Sequence, residues 1–204
     1  YRSSRGLGDV YKRQVVLIAK NEIGYKNLLV LTSKLSNNSE FDKFINYEDL
    51  KNYRDGIILL TGGIENGFVG KPASLGNIKL VNERLGVLKK LFEDNLYIEL
   101  QRHGIKSQIN AEKILLNASE NFDLPLVATN DCFFENENKF NAHQVLTCID
   151  KGLTISSKNR RLLTKEHYLK DSKKMVSLFE DIPDAIENTI ICLLYTSPSP
   201  RDDR

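Results

Sequence analysis

Apolar positions along the chain fall into two alternating patterns. Short apolar runs at Ile57 to Leu60 and Leu124 to Ala128, and the stretch Asn95 to Gln101 with Glu99 inside it, have the length and composition of strands buried in a sheet, and Val15 to Ala19 is a strand or the lead into one. Between them, apolar residues recur at helical spacing. The helical sets are Leu28, Leu29, Leu31 and Leu35; Ile78, Val81, Leu85, Leu88 and Phe92; Ala111, Ile114, Leu115, Ala118 and Phe122; and Ala142, Val145, Leu146 and Ile149, with His143 on the opposite side of that last helix. Strand, helix and strand in succession, about thirty residues per unit, predict a right-handed crossover and parallel strands near Leu96 and Leu126. The fold class is α/β, either barrel-like or doubly wound. The run Leu124-Pro125-Leu126-Val127-Ala128 turns polar at Thr129-Asn130-Asp131, and carboxyl ends of parallel strands are where such folds bind ligands. The strand at Leu96 ends the same way, in Arg102-His103-Gly104.

Turn and cap residues divide these elements. Asn21 to Tyr25 reads as a turn, Ser36 to Asn46 as a surface loop, and Tyr47 to Leu50 as a short helical piece. Thr61-Gly62-Gly63 reads as a strand-to-loop turn. With neither GxGxxG nor GxxxxGK[ST] present, a nucleotide loop is not supported. Gly67 to Gly76, with Pro72, reads as an irregular surface crossing. Ser107 is placed to cap one helix and Asp171 or Ser172 another, while Pro183 opens a last helix to Ile191. Glu135 to Lys139 and Thr154 to Thr164 read as polar loops, the second carrying Lys158, Arg160 and Arg161. His167-Tyr168-Leu169 reads as a short extended piece with His167 at the surface or a strand edge, and Lys89, Lys90 and Glu93 as a solvated helix face.

Composition narrows the class. The chain has 204 residues, 41% hydrophobic and 27% charged, which suits one soluble domain. No apolar run approaches the roughly 20 residues of a membrane span, and cytoplasmic location is the expectation. Cys132, Cys148 and Cys192 show no CxxC spacing, so reduced thiols are expected, no structural zinc, and buried structural roles for Cys132 and Cys148. The two ends read as translated sequencing adapter. Asp9 to Gln14 can be encoded by GATGTGTATAAGAGACAG, whose reverse complement, shifted by one base, encodes Cys192 to Ser197. On that reading residues 1–14 and 192–204 are artefact, and residues 15–191 are an interior piece of a longer protein. The N-terminal tail carries Arg2, Arg5, Lys12 and Arg13 against Asp9, and the other tail is balanced, so the formal +2 becomes −1 for residues 15–191. A basic nucleic-acid surface is then not indicated.

Glu99, His103, Asp131 and His143 are metal-ligand types at or after strand ends. Carboxylates and imidazoles together can hold Zn, Mn or Fe and acidify a bound water for phosphoester hydrolysis. Residues of these types are more often structural hydrogen-bonding groups than ligands. Phe133 stands where a second histidine would extend the set, and Asn141 where an acidic residue two before His143 would. No nucleophilic triad is present.

Six segments in order carry a resemblance: Asn21 to Leu28, Gly56 to Gly63, Tyr97 to Gly104, Leu124 to Asp131, Ala142-His143, and Leu178 to Thr189. Together they resemble the amino-terminal polymerase-and-histidinol-phosphatase (PHP) domain of the bacterial DNA polymerase III alpha-subunit family, across essentially all of Val15 to Ile191. The resemblance implies a distorted seven-stranded (β/α) barrel, incomplete at its N-terminus, whose final helices lead toward the polymerase palm. It implies a parent DNA-directed DNA polymerase, a nucleotidyltransferase of DNA replication, acting on DNA and deoxynucleoside triphosphates with Mg2+ at a palm outside this chain. No polymerase catalytic residue is expected here.

Metal-binding members of the family use an early His-x-His, which would precede Val15. Of the later ligands, Glu99, His103, Asp131 and His143 match the motif positions, whereas Phe133 and Asn141 depart from it. Those departures resemble the branch whose barrel has lost its Zn, Mn or Fe and docks a proofreading exonuclease, with a sliding clamp as a further expected partner. Without the first barrel strands the sheet would carry open edges. Two other functions compete: a stand-alone metal-dependent PHP phosphoesterase and a pure interaction module.

Overall fold

A computed structural model describes residues 13–37, 44–157 and 163–195. Lys158, Arg160, Arg161 and most of the loop expected at 36–46 lie outside them. The described residues form a mixed α/β fold with one four-stranded sheet in the order β1 (Val16–Ala19), β2 (Ile57–Leu60), β3 (Leu96–Gln101), β4 (Leu126–Thr129). β1 runs antiparallel to β2, whereas β2, β3 and β4 are mutually parallel, as the crossover rule requires.

The helices follow the apolar spacing, with informative exceptions. They are α1 (Glu22–Asn37), α2 (Tyr47–Asn52), α3 (Gly70–Ser74), α4 (Ile78–Phe92), α5 (Lys106–Phe122), α6 (Phe140–Asp150), α7 (Ser172–Leu178) and α8 (Pro183–Tyr195). α1 begins inside the segment read as a turn, because Asn21 caps it by accepting from the Gly24 amide. The expected surface crossing at Gly67 to Gly76 instead contains α3, with Val69, Gly70, Pro72 and Ala73 buried. Its glycines serve close packing: a Cβ on Gly70 would lie 2.4 Å from the Gly62 carbonyl oxygen. Gly62 itself has φ near +80°, so both ends of this contact demand glycine.

Alternation along the strands splits the sheet into two faces. Ile57, Leu59, Leu96, Ile98, Leu100 and Ala128 pack with Val81, Leu85, Leu88, Leu91 and Phe92 of α4 and Ala111, Leu115 and Ala118 of α5, the main core. Ile78, expected on that stripe, is exposed at the first turn of α4. On the other face Ile58, Leu60, Tyr97 and Val127 form a smaller cluster with Cys192 of α8, so α8 runs on past Ile191. Near the other end, Gln14 bridges Gly67.

α6 is inverted relative to its apolar pattern. Val145, Leu146 and Ile149 are exposed, and the side bearing His143 and Cys148 turns inward. What anchors it is aromatic contact: Phe134 packs against Phe140 and His143, and Phe133 against His143. Lys89, expected on a solvated face, donates to the Phe122 carbonyl at the end of α5.

The outer edge of β4 is covered by side chains of α8. Asn188 Nδ2 donates to the Leu126 carbonyl at 2.8 Å, and Thr189 Oγ1 to the Ala128 carbonyl at 2.8 Å. These are alternate residues, the ones whose carbonyls point away from β3. A strand edge that would otherwise recruit another strand is thereby satisfied. Thr189→Val keeps the shape and removes the donor to a buried carbonyl. It is expected to cost about 1–3 kcal/mol, read as a lower urea midpoint with an unchanged slope; an unchanged midpoint would show that the edge is not held this way.

Candidate functional site

The carboxyl ends of β3 and β4 lie side by side because the two strands pair in register, Glu99 with Val127 and Gln101 with Thr129. Glu99 is buried at 6% exposure, and its Oε1 accepts from Thr129 Oγ1 at 2.5 Å and from Gln101 Nε2 at 3.0 Å. Its backbone N–H donates to the buried Thr61 hydroxyl at the end of β2. Oε2 has no hydrogen-bond partner among the described residues. Burial raises the Glu99 pKa, against the hydrogen bonds from Thr129, Gln101 and the Gly62 backbone.

Arg102 fixes the chain just before His103. Its guanidinium meets Glu112 of α5 through Nε at 2.9 Å and Nη2 at 2.6 Å, meets Asp181 through Nη1 at 2.6 Å and Nη2 at 2.8 Å, donates to the Leu178 carbonyl at 2.7 Å, and lies over the buried Phe179 ring. One planar fork thus ties the end of β3 to α5 and to the turn between α7 and α8.

His103 is 1% exposed and enclosed by partners. Gln108 accepts from the His103 backbone N–H through Oε1 at 2.7 Å and brings Nε2 to 2.9 Å from ring Nδ1. Asn130 Oδ1 is 3.1 Å from ring Nε2, and the Asp131 N–H is 3.2 Å from the same nitrogen. His167 stacks on the His103 ring, centroids 4.1 Å apart and planes 11° from parallel. The expected surface position of His167 is corrected here: it is 4% exposed, because residues 163–170 fold across the two strand ends. Thr164 donates to the His103 carbonyl at 2.6 Å, and Phe133 and Phe134 bond with His167 and Leu169 through the backbone.

Lys170, on the same segment, has a side chain with no exposure. Its ammonium donates to the Glu166 carbonyl, lies 3.6 Å from the Glu166 carboxylate and 3.3 Å from Asn130 Oδ1, and sits over Tyr168. Burial lowers its pKa and the Glu166 carboxylate opposes that. Cys132, expected to be buried, is exposed and receives a hydrogen bond from Asn130 Nδ2. Lys170 lies near it, yet partial desolvation of the thiol outweighs that charge and raises its pKa.

The four residues expected as metal ligands are therefore distributed as follows. Glu99, His103 and Asp131 share the mouth formed by β3 and β4. His143 faces Phe133 and Phe134 with its Nδ1 buried and without a hydrogen-bond partner among the described residues. Phe133 lies between His143 and His167, centroids 5.9 and 5.8 Å away. No group of three or more His, Cys, Asp or Glu side chains converges as a metal site among the described residues. The orphaned Glu99 oxygen would suit a cation, but both His103 ring nitrogens face hydrogen-bonding groups. The set does not fit a resident metal.

Thr129 and Asn130, marked in the sequence as the polar end of a strand, complete the site together with Gln101, Gln108, His167 and Lys170, to which the sequence assigned no part in it. Gln108 carried a readable signal. As the third residue of α5 it reaches back to a backbone N–H in the manner of a capping box, while the expected cap, Ser107, makes no such bond and Ile105 precedes the helix without a side-chain cap.

Arg102 holds the Asp181 carboxyl below the usual carboxylate range. The stability from that pair is present above the unfolded-state pKa of about 3.9 and lost as pH falls through the depressed folded value. Wild type should exceed Asp181→Asn in Tm at pH 7, with the gap closing below about pH 4. A gap that stays constant from pH 7 to pH 3 would contradict this.

The family model described as "PHP domain" matches residues 7–103. DNA polymerase III subunit alpha of Caulobacter vibrioides is 36% identical over 178 residues, 86% of this chain and 16% of that protein. The protein of the same name from Haemophilus influenzae is 36% identical over 186 residues, 90% of the chain and 16% of its own length. That of Borreliella burgdorferi is 35% identical over 178 residues, 86% and 15%. The chain thus spans about one sixth of the length of the curated relatives it matches. Among the described residues no helix is long and apolar enough to cross a membrane. By the family match and by an identity that runs through most of its length, this chain is similar to the PHP-domain region of bacterial DNA polymerase III alpha subunits.

Proposed function

We propose that this chain is part of a DNA polymerase III alpha subunit, the enzyme of template-directed DNA synthesis, in which it serves as a structural PHP barrel and not as a second active site. The similarity to proteins of that name over 86–90% of the chain supports the parent activity. Its substrates are DNA and deoxynucleoside triphosphates, used with Mg2+ at a palm that this chain does not include. The parallel strands β2, β3 and β4, with a main core on one face and a smaller one on the other, are the arrangement expected of one arc of a seven-stranded barrel.

The observation that carries the structural role is the occupation of the site by the protein's own groups. His103 is enclosed by Gln108, Asn130 and His167, and Phe133 fills the space between His143 and His167. A barrel in this state holds no Zn, Mn or Fe and performs no phosphoester hydrolysis. Its use is as a docking surface for a separate proofreading exonuclease, within an assembly that includes the sliding clamp.

The complete protein carrying this region, purified and supplied with a primed template, deoxynucleoside triphosphates and Mg2+, should extend the primer and show no 3′ exonuclease activity of its own. Absence of primer extension would sink the polymerase reading. A 3′ exonuclease that Asp131→Ala abolishes would sink the structural one.

A further inference from the structure

We infer that Gln108 is the residue that disarms His103, by fixing its imidazole in the Nε2–H tautomer so that the nitrogen facing the site carries a proton in place of a lone pair. The inference rests on the proposed metal-free reading and supplies its cause.

The argument is one of donors and acceptors. A neutral imidazole has one N–H and one lone pair, and which nitrogen holds the proton is set by its partners. The His103 backbone N–H can only donate, and it meets Gln108 Oε1 at 2.7 Å, so that atom is the amide oxygen. The other end of the same amide, Nε2, therefore carries hydrogens, and at 2.9 Å it donates to ring Nδ1. Nδ1 must then be the lone-pair nitrogen, and the ring proton belongs on Nε2.

On the opposite side of the ring a side-chain acceptor faces Nε2. Asn130 Nδ2 donates to the Tyr168 carbonyl at 2.8 Å, which orients Oδ1 toward His103 Nε2 as an acceptor at 3.1 Å. The Asp131 backbone N–H also donates toward this nitrogen, at 3.2 Å, so two donors compete for the single lone pair of the ring, and Gln108, at 2.9 Å from Nδ1, is the nearer of them. Lys170 also donates to Asn130 Oδ1, at 3.3 Å, and sets a positive charge on this side of the ring, where a divalent cation would be repelled.

A metal-bound histidine needs the reverse arrangement. Its non-ligating nitrogen donates to a carbonyl or carboxylate, and the lone pair on the other nitrogen meets the metal. Gln108 presents a donor where that scheme requires an acceptor. The change that inverts this is Gln108→Glu, which keeps the acceptor for the backbone N–H and places a second carboxylate oxygen opposite Nδ1. The proton then moves to Nδ1 and the Nε2 lone pair is exposed.

The test is 15N NMR of the histidine ring nitrogens in the full chain, paired with Zn2+ and Mn2+ content after dialysis against each ion. Wild type should show His103 protonated at Nε2. Gln108→Glu should show it protonated at Nδ1, with Zn2+ affinity raised about 10–100-fold, the usual scale of such outer partners. Wild-type His103 protonated at Nδ1 overturns the inference, and that result does not depend on any variant folding. A tautomer that switches in Gln108→Glu without metal uptake overturns Gln108 as the cause of exclusion. Stoichiometric metal in wild type overturns the metal-free reading itself and is seen separately from the ring signals.

Discussion

The parallel pairing of β3 with β4 is the constraint on which the site depends. It is a two-strand register, Glu99 to Val127 and Gln101 to Thr129, and it brings Arg102-His103 and Asn130-Asp131 out of the sheet beside one another. The inner edge of β4 is held by that ladder and its outer edge by Asn188 and Thr189 of α8, so the strand cannot slip without losing bonds on both sides. A one-residue slip would send Val127 toward the main core's face and reverse Ala128, which the division of the sheet into two apolar faces forbids.

Around that register the polar groups pair with each other. Thr129 and Gln101 engage Glu99, Gln108 and Asn130 engage His103, and Lys170 engages Asn130 and Glu166. Several of these pairs join different elements, Thr129 to Glu99, Gln108 to His103 and Lys170 to Asn130, so removing one partner would leave a buried group unsatisfied on another element. Arg102 closes the ring from outside by anchoring the chain at His103 to α5 and to the turn before α8. Site and fold share these bonds, so the polar groups at the strand ends also hold the surrounding elements together.

Strand positions and most helices were legible in the sequence because burial on the sheet leaves a strong apolar signature, and the cap expected at Asp171 or Ser172, made by Asp171, is an equally local signal. α6 was misleading, since its apolar stripe of Val145, Leu146 and Ile149 faces outward and the polar side bearing His143 faces in. Periodicity reports which face is apolar, not which face is covered. α3 was missed because glycine and proline, read as loop formers, here allow backbone to approach backbone. His167 and Lys170 were invisible for another reason. Their roles come from residues 163–170 crossing strand ends more than thirty positions away in sequence, a contact with no local pattern.

The central claim is that this site is satisfied by protein groups where metal-binding members of the fold would place ions. The most direct measurement is a crystal structure of the complete protein grown in excess Zn2+ or Mn2+, with anomalous scattering read at the ends of β3 and β4. The account predicts no anomalous peak within bonding distance of Glu99, His103 or Asp131, with Gln108 and Asn130 still against the imidazole. A peak ligated by His103 Nε2 together with either carboxylate would contradict it.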